Sequence, residues 1–156
     1  DTSTRSWRCM LQPVVDSGNR TLSGPPLLPP MDLLPETVPA ALQLALPSGT
    51  VTEGASVGLF WEMYDLPADG AVRIAVVLVP TGGSLLGGLG RALGLAGDRR
   101  TLSLVWEDQR SGRGRVESRA VGLDLARLDR GRYELSLEVT VPGREPATVR
   151  REVRIR

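Results

Sequence analysis

From residue 41 onward, apolar side chains recur at every second position, the period of a strand with one face buried. Leu42, Leu44 and Leu46 alternate first, followed by Val57, Leu59, Trp61 and Met63, and then by Val72, Ile74, Val76 and Leu78. Leu102, Leu104 and Trp106 repeat the pattern, as do Val121, Leu123 and Leu125, then Tyr133 through Val141, and last Val149, Val153 and Ile155. Turn residues separate the runs: Pro47-Ser48-Gly49, Asp65 to Gly70, Gln109 to Gly114 and Pro142-Gly143. Seven strands are therefore expected. In the run from Val72, the intervening Ala75, Val77 and Val79 are apolar too, which predicts a central strand or one covered on both faces. The last run carries Arg150, Arg151, Arg154 and Arg156, which suits an edge guarded by charge.

The stretch Leu123 to Val139 holds the most specific signal. A strand ends at Leu125, the chain turns through Leu128-Asp129-Arg130-Gly131, and the next strand opens on Tyr133. That is the layout of a tyrosine corner, in which an inward ring returns its hydroxyl to backbone a few residues upstream, with Leu128 and Gly131 shaping the corner. The expected fold is all-β: an immunoglobulin-like or fibronectin III-like antiparallel sandwich of about seven strands over residues 41–156.

Two segments depart from this pattern. Residues 1–40 hold one short strand-like run, Trp7 to Leu11, and then Pro25, Pro26, Pro29, Pro30, Pro35 and Pro39. Proline removes donors and fixes the backbone, so a Pro-rich arm is expected, lying extended on the sandwich or on a partner through Leu27, Leu28 and Met31. Residues 81–100 are rich in Gly, yet Leu85, Leu86, Leu89 and Leu93 fall at helical spacing. This insertion is expected either to cap the core or to dock its leucines on a partner or at a membrane interface.

Composition then narrows the chemistry. The chain has 156 residues, enough for one real core, and its aromatic fraction is 4%, so that core is mostly Leu, Val, Ala and Ile. It contains no His and no Lys, and all 19 basic residues are Arg. Imidazole catalysis, His-ligated metals, Schiff bases and P-loops are thereby excluded within this sequence. Cys9 is alone, which excludes an intrachain disulfide and reads as a buried or free thiol. With 18 acidic residues the formal charge is +1, and Arg alternates with Glu and Asp instead of forming a basic stripe, so no nucleic-acid partner is expected. No run of about 18 apolar residues and no apolar leader is found, which reads as a mature or trimmed fragment.

The run Glu53-Gly54-Ala55-Ser56-Val57-Gly58-Leu59-Phe60-Trp61-Glu62-Met63-Tyr64-Asp65-Leu66, with Leu128 to Leu135 about seventy residues later, resembles the C-terminal β-sandwich of bacterial GWxTD domain-containing proteins. Thr21-Leu22-Ser23-Gly24-Pro25 is similar to the segment leading into that sandwich, while the Gly-Trp-x-Thr-Asp motif itself is absent. The resemblance implies a bacterial envelope or secreted protein and supplies no chemistry.

The residues that could carry chemistry are few. Asp65, Asp69 and Gly70 have the composition of a calcium-binding turn and also of an ordinary one. Glu53 with Glu62, or Glu107 with Asp108, supply the carboxylates of a glycosidase pair and are equally the acids of any polar strand face. No catalytic, metal or cofactor residue is assigned. The function expected is a non-enzymatic, extracytoplasmic structural or protein-interaction module. Its specific form is an extrinsic accessory subunit of a large membrane complex, such as a transporter, secretion system or photosynthetic reaction centre. The alternative is a carbohydrate-binding or sugar-processing sandwich, which would need exposed aromatic platforms at Trp7 and Trp106.

Overall fold

The computed structural model describes residues 26–46, 48–64, 66–67, 70–81, 101–109 and 116–156. Two sheets face each other. The smaller has the order β1-β3-β6 and the larger β2-β8-β7-β4-β5. The strands are β1 (Leu27–Leu28), β2 (Thr50–Val51), β3 (Ser56–Tyr64), β4 (Ala71–Pro80), β5 (Leu102–Gln109), β6 (Val116–Asp124), β7 (Gly131–Thr140) and β8 (Ala147–Ile155). All neighbours are antiparallel except β2, which runs parallel to β8.

The core lies where the period-two pattern puts it. Val57, Leu59, Trp61 and Met63 of β3 face Val72, Ile74, Val76 and Leu78 of β4, with Leu135, Leu137 and Val139 of β7 beside them, all buried. Each such aliphatic side chain stabilises the fold by roughly 1.5 to 3 kcal/mol. Strand β4 is central in its sheet, between β7 and β5, and Ala75 and Val77 on its other face are buried as well, as its two-sided apolar pattern implies.

The first expected strand is a helix instead. Helix α1 (Val38–Leu44) replaces the strand read from Leu42, Leu44 and Leu46. Thr37 caps it by accepting from the Ala40 amide at 3.4 Å, Pro39 sits in the first turn where a missing N–H costs nothing, and Ala40-Ala41 favour the helix. Seven residues are too few to be helical alone. The helix persists because Ala41 is buried with Leu28 and Phe60, and Val38 and Ala45 pack on them, over the outer face of the three-stranded sheet.

The Pro-rich segment is also closer to the core than expected. Strand β1 pairs with β3, Leu27 opposite Leu59 and Leu28 opposite Gly58, so the sandwich includes the chain from Pro26 onward. Its two residues point opposite ways: Leu27 enters the main core and Leu28 the cluster beneath α1. Gly58 makes this fit, since a Cβ there would stand 2.9 Å from the Leu28 Cβ.

Candidate interaction surfaces

The corner is built as its sequence implies. Tyr133 is buried at the start of β7, and its hydroxyl donates to the Asp129 carbonyl at 2.8 Å. Leu128 is buried beneath it and its amide closes a turn onto the Leu125 carbonyl at 2.9 Å. Gly131 takes φ 155°, a setting that L side chains rarely adopt. This is structural scaffolding at one end of the sandwich.

Leu27 and Leu28, expected as partner contacts, are consumed by the protein's own interior and offer no surface; Met31 is half-buried against the same cluster. The reason is register: pairing with β3 turns one leucine to each side of the small sheet, and both sides there are covered. What the arm leaves outside is Leu33, 87% exposed, and at the end of α1 Leu44, 41% exposed. Leu85, Leu86, Leu89 and Leu93 lie outside the described residues, as do Trp7, Cys9, Asp65 and Asp69. Gly70 is exposed at φ 101°.

The carboxylate pairs do not converge. Glu53 sits in the turn before β3 and pairs with Arg130 at 2.6 Å. Glu62 lies near the far end of β3, roughly 20 Å from Ser56 at about 3.3 Å per residue, beyond the span of a glycosidase pair. It accepts from the Tyr64 hydroxyl at 2.5 Å and from Ser118 at 3.3 Å. Burial, and then this carboxylate, push the Tyr64 phenol up to about 12. Glu107 and Asp108 are neighbours in a strand and so point to opposite faces, Glu107 across from Arg73 and Asp108 inward.

Asp108 belongs to a cluster that the strand runs did not announce. Arg119 of β6 bonds Asp108 of β5 through its Nε and holds Glu117 through Nη2 at 2.8 Å, so one guanidinium ties the two sheets together at the β5 and β6 edge. Glu117 is buried. These carboxylates hold the Arg119 guanidinium above its ordinary range, although burial, the largest influence, pulls the other way. The signal was present in parity: Glu117 and Arg119 fall in step with core-facing Val121 and Leu123. Beside them Trp106 meets the buried Trp61 edge-on, ring centres 6.2 Å apart and planes 63° apart. Trp106 is half-buried in that contact, not a flat platform open to a sugar.

A third inward polar group stands at the opposite side. Arg151 of β8 lies across from Leu135 on the core-facing parity, and burial pushes its guanidinium below its ordinary value.

No family model matches the chain, and no curated protein matches it. Among solved structures it is similar to a β-glucosidase from Listeria innocua in complex with isofagomine, with a TM-score of 0.43 and 12% identity over 69% of this chain and 15% of that one. A second crystal structure of β-glucosidase from Listeria innocua gives a TM-score of 0.42 and 12% identity over 85% of this chain and 16% of that one. The chain spans about a sixth of the length of those proteins.

Proposed function

We propose that this protein is a non-enzymatic structural or protein-interaction module, working outside the cytoplasm as an extrinsic subunit of a larger, membrane-associated assembly. The observation that carries this reading is the arm. Residues 26–46 are pinned to the small sheet by Leu27, Leu28 and Ala41, yet they turn Leu33 and Leu44 outward. Apolar side chains held out on an anchored segment suit an anchor entering a partner's pocket, because little ordering entropy remains to be lost on binding. The extracytoplasmic placement rests on the resemblance of residues 53–66 and 128–135 to envelope proteins.

The test is site-specific photo-crosslinking in cells producing the natural full-length protein. A crosslinker at position 33 or 44 is expected to give a discrete heavier protein adduct in the envelope fraction, and one at exposed Arg127, in a turn, is not. Adducts absent at 33 and 44, or a protein confined to the cytoplasmic fraction, would overturn the reading.

A further inference from the structure

The four sheet edges are not equally closed. In the larger sheet one edge is covered by β2, and in the smaller sheet one edge is covered by β1. Strand β6, at the other edge of the smaller sheet, puts the Arg119 clamp there. Strand β5 is different. It pairs with β4 through eight unbroken rungs, Leu102 opposite Leu78 to Gln109 opposite Ala71, and among the described residues no strand lies on its other side. Ser103, Leu104 and Val105 are exposed, Leu104 to 36% and Val105 to 39%. From Leu102 to Trp106 it has no proline, no bulge and no charge, the devices that ordinarily block an edge.

We propose that β5 is a self-association edge, on which a second copy of this chain adds its own β5 in antiparallel fashion, centred on Leu104. The side-chain pattern selects this occupant and this register. Opposite residues of an antiparallel pair share a face, so a continuous sheet requires residue numbers that differ by an even count to meet. Centring on Leu104 sets Leu104 against Leu104 of the second copy on the core side, and Leu102 against its Trp106. On the outer side Ser103 meets Val105 of the second copy. At the ends Thr101, a hydroxyl donor, meets Glu107 of the second copy, a carboxylate acceptor.

Every rung is therefore apolar with apolar on the inner face, and no like charges meet. Asp108 falls outside the overlap and keeps its bond to Arg119. The alternatives are worse. Centring on Val105 puts Leu102 against Asp108 of the second copy. Parallel pairing sets Glu107 and Asp108 beside their own counterparts, and like charges directly opposite are destabilising. One strand from each copy makes a contact smaller than the roughly 1,600 Å2 of a stable interface, so the dimer forms at high local concentration. This surface is separate from Leu33 and Leu44, so the two readings stand or fall independently.

The test uses the full chain with Cys9→Ser and one new cysteine at a time, under mild oxidation. Successive rungs alternate between the close and the wide type, so one of the two central rungs has the short Cβ separation a disulfide needs. The expected result is that Leu104→Cys crosslinks to itself, or that Ser103→Cys mixed with Val105→Cys crosslinks several-fold better than either alone. Sedimentation of the unsubstituted protein should show a concentration-dependent dimer that Val105→Arg weakens at least tenfold with its melting curve unchanged. Equal self-crosslinking at all three positions would mean parallel or random contact and would overturn the proposal. So would a monomer at every concentration up to about 1 mM.

Discussion

Tyr133 shows how much one side chain can settle. Its hydroxyl proton goes to the Asp129 carbonyl, so Tyr133→Phe leaves a buried acceptor unpaired and should cost about 1 to 2 kcal/mol in urea unfolding. A Phe variant as stable as the parent would remove the corner from the account. Gly131→Ala at φ 155° should cost more than about 1 kcal/mol through the backbone alone, since the nearest atom to its new methyl, in the Tyr133 ring, is at an ordinary 3.8 Å. Tyr64 makes a pH prediction. Its neutral form is favoured in the folded state, so the stability it contributes is complete below the ordinary phenol value of 10 and is lost as pH rises toward about 12. In a Tyr133→Phe background Tyr64 is the sole tyrosine, and its absorbance titration should centre near 12. A midpoint near 10 would mean that the bond to Glu62 is not formed.

Among the elements, the strands were legible and the arm was not. Tyr133, Trp61 and Ile74 announce their strands because each alternates with polar residues over eight or more positions. Leu42, Leu44 and Leu46 alternate just as well, but only Thr37, Pro39 and Ala41, read as cap, first turn and contact, show why that segment winds into α1. Leu27 and Leu28 were read as surface because proline neighbours hide a two-residue strand, whose pairing with Leu59 and Gly58 depends on tertiary register. Gly58→Ala should force β1 away from β3, costing about 1 to 3 kcal/mol and opening residues 29–37 to protease while the remaining sandwich resists. The Arg119 clamp was legible only as polar residues in core-facing parity. Arg119→Met removes the counter-charge that buried Glu117 holds at 2.8 Å, and should destabilise more than Asp108→Asn, by about 1 to 3 kcal/mol in thermal or urea unfolding. Equal losses would show that Glu117 does not depend on this pairing.

For the whole molecule, the sandwich brings no pair of candidate carboxylates together among the described residues and instead turns apolar side chains outward at two separate places, the arm and the β5 edge. Surfaces of this kind are invisible to periodicity, because exposure of Leu33 or Val105 is decided by which neighbour covers them. The central claim is that the protein works by contact at the arm. Its most direct test is quantitative affinity purification of the natural full-length protein from its own cells, comparing the parent with Leu33→Ser/Leu44→Ser. A partner protein recovered in stoichiometric amount with the parent and lost with the double variant, at an unchanged melting temperature, is the predicted result. The same partner recovered equally with both proteins would contradict it.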